Sequence, residues 1–331
     1  MKKIAFCFLI YDKINLDELW KLFFKDVNKN KYNIYIHYKT DKPLVYFDKY
    51  KIQNCINTNY EDQTIPLAYN ILFRHAYIDD IDNYKFIIVS GACIPFKSFD
   101  YIYTQLTKDE YGYFNVSPKS QCFPNCDSLI NSIDENFISK SHNWFILNRI
   151  LVEKLCFDKD DILNLLYSKV YAPAEYFYYT FIKLMSLESK IITTPNLSNH
   201  ATTFTNWSDM GYKYSSDHGL KNYDTIDKEE LLYLLNSKCL FGRKFTANCY
   251  SQLYIKEYIE TITTKNEYTK IRTNYEEIFE DLKNANGFYM PHIQNELKSR
   301  FVIDIADGKF ESNPETIIEL AKKICNPLFH F

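Results

Sequence analysis

Apolar residues in the first hundred positions fall into short runs separated by helical stripes. IAFCFLI (4–10), YNIYIHY (32–38) and KFIIVSG (85–91) are too short for buried helices and rich in the β-branched and aromatic residues that favour strands. Between the first two, Leu16, Leu19, Trp20 and Phe23 or Phe24 recur at spacings of three and four, predicting a helix over 16–25 whose apolar stripe packs on a sheet. A second helical pattern covers 66–77. Strand, helix, strand, helix, strand predicts an α/β fold with parallel neighbours. The stretch 112–137, interrupted by Pro118 and Pro124, is expected to be irregular and to form one wall of a cleft, and WFILNRILVEKL (144–155) is expected to be a helix. Beyond Phe245 the pattern turns helical and charged, as in 266–284 and in 314–325, where Pro314 stands near a helix start. The expected organisation is therefore a domain over 1–245 and a C-terminal helical appendage over 246–331 whose role the sequence leaves open.

Composition narrows the chemistry. With 39 basic and 42 acidic residues and a net charge of -3, the chain carries no electrostatic footprint for nucleic acid. Its 46% hydrophobic content supplies a large core and excludes disorder. Only 7 of 331 residues are glycine, against an average usage of about 7%. Neither a G-x-G-x-x-G fingerprint nor a P-loop is present, which removes classical dinucleotide and P-loop enzymes. Nine cysteines, an odd number without framework spacing, fit a reducing compartment, and Cys122-x-x-x-Cys126 lacks the spacing of a zinc or redox pair. No apolar stretch approaches the length of a membrane span, and MKKIAFCFLIYDK reads as a first strand rather than a leader. A soluble, cytoplasmic protein is the expectation, with the N-x-[ST] triplets at Asn115, Asn196 and Asn206 as coincidences.

In open α/β sheets, ligands bind beyond the carboxyl ends of the strands. The first strand delivers Tyr11 and Asp12 there, the second His37, Tyr38 and Lys39, and the third Ser90, Gly91, Ala92 and Cys93. A lone His37 is compatible with a hydrogen-bonded structural role as well as with ligand contact. The slot after the third strand, where an Asp-x-Asp would hold a divalent cation, reads SGACIP, and Asp80-Ile81-Asp82 precedes the strand, at its wrong end. Glu175, in YAPAEYFYYTFIKL, follows Pro173 at a helix start, where the helix dipole favours a carboxylate and keeps it available to take a proton from a hydroxyl. Arg243 and Lys244 lie between apolar residues in KCLFGRKFTANC, and Trp207 sits in the polar segment TTFTNWSDMG, able either to stack on a sugar or to fill a core.

Taken in order, these segments resemble the core-2/I-branching glycosyltransferase family, especially its plant-type members. IAFCFLIYDKINLDELWKLFFK followed by YNIYIHY is similar to the family's first strand, helix and second strand. SGACIPFKSFDYIY resembles its serine, cysteine, isoleucine and proline motif, and SHNWFILNR its Q-W-F segment ending in Arg. AEYFYYT, NWS and LFGRKF resemble its D-E-H or D-E-Y, D-W-S and L-F-A-R-K-F motifs. The resemblance covers about residues 3–250 and implies a GT-A-like, Rossmann-type sheet flanked by helices and an inverting transfer of a sugar, N-acetylglucosamine in the leading reading, from a UDP-sugar to a glycan hydroxyl. By position it makes Glu175 the general base and sets Arg243, Lys244, His37, Ser90 and Gly91 at the donor, with Trp207, Trp144 and Cys93 at the acceptor. No cofactor and no divalent metal are expected, and the partners are a UDP-sugar and a glycan. Three positions depart from the pattern: Ala174 replaces an Asp, Lys39 stands where some members have an Asp, and Gly242 replaces an Ala. An inactive carbohydrate-binding or scaffold protein that kept the fold is the alternative.

Overall fold

A computed structural model describes residues 1–264 except 41, 118, 120–121, 123–128, 130–132, 158–170, 196–201, 209–213, 215 and 217–218. The helices expected at 266–284 and 314–325 lie outside the described residues.

Strands β1 (Lys3–Ile10), β2 (Tyr32–Tyr38) and β3 (Asn83–Ser90) occur where the apolar runs place them, and β1 pairs in parallel with both neighbours. Adding β5 (Gly112–Val116), β6 (Ile146–Asn148) and β7 (Ile191–Pro195) gives a six-stranded sheet in the order β2-β1-β3-β6-β5-β7. Side chains alternate between its two faces. Ala5, Cys7, Phe86 and Ile88 point towards α2 (Thr64–Asp79), α4 (Arg149–Phe157) and α5 (Ala174–Leu184), meeting Tyr69, Phe73, Leu151 and Phe177. Phe6, Phe8, Ile87 and Val89 point the other way, towards Trp20 and Phe23 of α1 (Asp17–Phe23) and Ile102 of α3 (Phe99–Thr107). Trp20 buries its rings at 5.0 Å from Phe8 and satisfies its indole N–H on the Cys93 carbonyl at 2.9 Å.

Two expectations are corrected. The run WFIL does not begin a helix: Ile146–Asn148 form a strand that pairs antiparallel with both β3 and β5, so the sheet is mixed and the helix starts at Arg149. Phe145, Ile146 and Leu147 are all buried, and a run apolar on successive positions suits a strand enclosed on both faces better than a helix with one wet side. Likewise Gly112–Val116, expected to be irregular, pairs in parallel with β7; a side chain at Gly112 would meet the Ile146 carbonyl at 2.9 Å, so the close approach needs glycine.

A second sheet of three short strands, β4 (Ile94–Pro95), β8 (Thr203–Thr205) and β9 (Phe241–Arg243), has the order β4-β9-β8. Its core joins Leu16, Leu19, Phe96 and Phe204 to Leu231 and Leu234 of α6 (Lys228–Leu235). Cys249, Leu253 of α7 (Tyr250–Leu253), and Tyr258 and Ile262 of α8 (Lys256–Thr263) belong to the same cluster, and the Tyr258 hydroxyl donates to the Pro95 carbonyl at 3.0 Å. Packing is thus continuous through Ile262. Among the described residues no helix is long and apolar enough to cross a membrane.

The topology fixes where chemistry collects. Strands β1, β2, β3, β5 and β7 run in one direction and β6 in the other, so the residues after β3 and those leading into β6 share one edge.

Candidate active site

Glu175 occupies the first turn of α5. Its helix is docked on the segment before β6: Ser141 N–H donates to the Glu175 carbonyl at 2.7 Å, and Thr180 Oγ1 both accepts from Ser139 N–H at 3.0 Å and donates to the Ser139 carbonyl at 3.1 Å. Ser141 in turn bridges to Val116 at the end of β5, so the sheet edge sets the height of the carboxylate. One carboxylate oxygen pairs with Lys140 Nζ at 3.0 Å and the other accepts the Tyr60 hydroxyl at 2.9 Å. An ionised carboxylate offers about four lone-pair sites, so acceptor capacity remains at both oxygens.

Arg243, the last residue of β9, lays its guanidinium over the Trp144 ring at 3.9 Å. Among the described residues no carboxylate pairs with Arg243 or Lys244, and Arg243 Nε is buried without a hydrogen-bond partner. Burial lowers the guanidinium below its usual value, and burial together with the adjacent Arg243 lowers the Lys244 ammonium. Two neighbouring cations held this way gain from any anion placed between them. Ser141 Oγ, His142 Nδ1 and Asn143 Oδ1, in the segment beside Arg243, are also buried without partners. Burial, Lys140 and Arg243 push the His142 imidazole down to about 3, so it is neutral at physiological pH. Buried polar atoms are normally hydrogen-bonded; Tyr101 and Gln105 of α3 also carry such orphans, but three in successive residues beside Arg243 mark a place where polar ligand atoms fit.

The other residues singled out by sequence take varied places. Ser90 and Cys93 meet side by side, Ser90 Oγ to Cys93 Sγ at 3.2 Å, but Cys93 is 2% exposed. Its thiol lies against the Arg243 guanidinium, which places Cys93 beneath the cation and gives it no surface for an acceptor. Trp144 has one face occupied by Arg243, so its ring supports the cation from below. At Gly91 a side chain would meet the Lys13 carbonyl at 2.2 Å, and Asn15 N–H donates to the Gly91 carbonyl at 2.8 Å; the glycine lets the loop after β3 touch the loop after β1. His37 is 0% exposed, accepts the Ile56 N–H at 2.9 Å through Nε2, and is pushed down to about 4 by burial. As folded, this imidazole props the 52–56 loop through Nε2, and its Nδ1 is a further buried atom without a partner. Lys39 is likewise engaged, donating to the Thr58 carbonyl at 3.0 Å.

Trp207 is half-buried, just past β8, whose Thr205 is the register partner of Arg243. Its neighbour Asn206 donates to the Tyr223 hydroxyl at 2.6 Å, which donates to buried Glu230 at 2.5 Å, and the Trp207 backbone bridges to Leu220. This anchors Trp207 at the Lys244 end of the small sheet, without a hydrogen bond or ring contact to Glu175 or Arg243 among the described residues. At Gly242 an added side chain would fall 2.0 Å from the Phe96 ring, which explains why glycine stands here. Asp80 pairs with Lys3 at 2.6 Å and Asp82 with the N-terminal ammonium at 2.9 Å, both at the opposite edge. Asn115 and Asn206 are buried, and Asn196 and Cys126 lie outside the described residues.

Tyr60, Lys140 and Tyr171 went unread in the sequence, whereas His142 was noticed only as the imidazole nearest Cys122 and Cys126 and as part of SHNWFILNR. Tyr60 and Glu175 are 115 positions apart, and no local pattern links them. Lys140 precedes the SHNWFILNR segment by one residue, which is the one signal that could have drawn attention to it.

The sequence pattern of the Core-2/I-Branching enzyme family matches residues 4–232. A curated protein of Oryza sativa subsp. japonica, Glycosyltransferase BC10, is 23% identical over 168 residues, a match covering 48% of this chain and 41% of that protein. The chain therefore aligns with about two fifths of that relative's length. The six-stranded sheet with helices on both faces is consistent with a GT-A-like glycosyltransferase fold. Because the family pattern spans residues 4–232, more than half of the chain, the chain belongs to the core-2/I-branching family of glycosyltransferases.

Proposed function

We propose that the chain moves one sugar, N-acetylglucosamine, from a UDP donor to a hydroxyl of a glycan acceptor, inverting the anomeric carbon and using no divalent metal. One observation carries the reading: a single carboxylate, Glu175, held from both sides by Lys140 and Tyr60, shares an edge with two cations that no carboxylate compensates among the described residues. Tyr69, buried beneath, lies within electrostatic reach of both Arg243 and Glu175. The choice of N-acetylglucosamine and of UDP rests on the family resemblance.

In this reading Glu175 takes the proton of the acceptor hydroxyl as that oxygen bonds to the anomeric carbon. The bond from that carbon to the β-phosphate oxygen breaks on the opposite face, and UDP leaves with the electron pair. Arg243 and Lys244 meet the charge that develops on the diphosphate, fixed in place before the bond breaks. Trp144 orients Arg243, and Trp207 contacts the acceptor.

The test is UDP release from UDP-N-acetylglucosamine, UDP-glucose, UDP-galactose and UDP-xylose, each with and without glycan acceptors. Glu175→Gln should keep donor binding and lose transfer by about 100-fold or more, the scale of general-base catalysis. Near-normal turnover in that variant overturns the assignment. Glycan binding without UDP release from any donor would instead favour a carbohydrate-binding protein that kept the fold.

A further inference from the structure

We propose that Tyr60 and Tyr171 form an aromatic subsite for the pyranose ring of the acceptor, adjoining Glu175; the proposal rests on the reading of Glu175 as the base. Tyr60 is tied to that carboxylate by its own hydroxyl, at 2.9 Å, so its ring begins within a sugar's reach of the oxygen that takes the proton. Tyr171 meets it edge to face, with centroids 6.3 Å apart and planes at 83°. The two rings make a corner open to solvent.

Exposure together with the tie to Glu175 separates this pair from the other aromatics of the edge, since exposed Tyr11 carries Lys39 over its ring. Tyr60 is 51% and Tyr171 53% exposed, whereas Tyr69, Tyr176 and Tyr178 are buried and Trp144 has a face taken by Arg243. Exposed tyrosines occur elsewhere: Tyr111 singly, and Tyr250 with Tyr254 as a stacked pair whose Tyr250 hydroxyl donates to Glu18, a carboxylate on α1. What distinguishes this pair is the hydrogen bond to the candidate base. The backbone between Tyr171 and Glu175 also works to keep the ring outside: Ala172 adopts φ 52, a conformation uncommon for a residue other than glycine, and both Ala172 and Ala174 are buried while Tyr171 is not.

The ligand class follows from the chemistry. A pyranose has a C–H face that packs on an aromatic ring and a rim of hydroxyls that hydrogen-bond, and here the Tyr60 hydroxyl adjoins the carboxylate of Glu175, which is also paired with the ammonium of Lys140. The carboxylate disfavours an acidic sugar, so the subsite fits a neutral one. The diphosphate belongs with Arg243 and Lys244, which leaves the tyrosine corner to the acceptor. Tyr60 thereby does two things: its ring supports the sugar, and its hydroxyl fixes the carboxylate that receives the proton.

The test is saturation-transfer NMR on the full chain with UDP present, using methyl β-galactopyranoside, lactose and N-acetyllactosamine as probes, alongside calorimetric titration of UDP. The native chain should transfer saturation to the C–H protons of one sugar ring. Tyr60→Ala combined with Tyr171→Ala should weaken sugar binding about 10-fold or more, with UDP affinity unchanged. Tyr60→Phe should restore sugar binding yet lower turnover, because it keeps the ring and loses the hydrogen bond to Glu175. Both rings are largely solvent-facing, and a thermal melt confirms that the variants fold. Undiminished sugar signals in the double variant overturn the proposal, as does a native chain that binds UDP but none of the probes. A loss of UDP affinity in the double variant also overturns it, since the rings would then serve the nucleotide. A native chain that binds neither UDP nor sugar refutes the donor and acceptor reading itself.

Discussion

Where the parallel strands begin, Lys3 pairs with Asp80 at 2.6 Å, the N-terminal ammonium with Asp82 at 2.9 Å, and buried Lys85 with Asp109 at 3.0 Å. Arg149, arriving at the same edge from antiparallel β6, donates to the carbonyls of Tyr77, Asp80 and Asn83. Where the strands end, Arg243 and Lys244 face no carboxylate among the described residues, and Ser141, His142 and Asn143 each keep a buried polar atom without a partner. Both edges desolvate charge; one compensates it internally, whereas at the other the Lys140–Glu175 pair leaves Arg243 and Lys244 without a carboxylate among the described residues. Desolvated, unpaired cations cost stability, and a fold that keeps them at one edge is prepared for an anion to arrive there. The difference teaches that the ligand site is marked by what the chain leaves unsatisfied more than by any hollow.

The sharpest way to break the comparison is Glu175→Gln, with its expected loss of about 100-fold or more in transfer. Next come the cations. Charge-assisted hydrogen bonds contribute about 1.5–3 kcal/mol, so Arg243→Ala should weaken UDP binding by about 10- to 100-fold in a calorimetric titration. Lys244→Ala should follow, by about 10-fold or less, because its ammonium is the more solvated partner. An unchanged UDP affinity in both variants would remove the cations from the donor site. The smallest effect is expected at the opposite edge. Asp80→Asn should leave UDP binding and turnover alone and lower stability by about 1 kcal/mol or less. Burial pushes the Asp80 carboxyl up, but Lys3, Asn33 and the Asp82 N–H together hold it below its usual value. A depressed carboxyl contributes stability above its unfolded pKa, about 3.9, and loses it as pH falls through the lower folded value. Thermal melts from pH 5 downward should therefore show a steeper loss in the native chain than in Asp80→Asn, and equal slopes would show that the pair contributes nothing.

Much of the architecture was legible because it is local. The runs at 4–10, 32–38 and 85–91 became β1, β2 and β3 with boundaries moved by no more than a residue or two, and the stripe through Leu19, Trp20 and Phe23 became the buried face of α1. The strand at Ile146–Asn148 was read as helix because a doubly buried strand and a buried helix share the same unbroken apolar pattern. Glu175, Arg243 and Lys244 were singled out through their motifs; Glu175 and Arg243 both lie within electrostatic reach of Tyr60 and Tyr69, and Lys244 adjoins Arg243. His37 was chosen for its position at a strand end; its Nε2 is taken by the Ile56 N–H, and its Nδ1 stays without a partner. Trp144 and Cys93 were placed at an acceptor, whereas they pack against Arg243, a contact between segments about a hundred residues or more apart that no spacing rule encodes. Tyr60 and Lys140 escaped for the same reason.

The central claim is that side-chain cations supply the charge the departing diphosphate needs. It is tested most directly by following UDP release from UDP-N-acetylglucosamine with a glycan acceptor in excess EDTA, for the native chain and for Lys244→Ala and Arg243→Ala in the same buffer. The account predicts native turnover that EDTA leaves unchanged and a marked fall in both variants. Turnover that EDTA abolishes and manganese restores, with the two variants as active as the native chain, would contradict it.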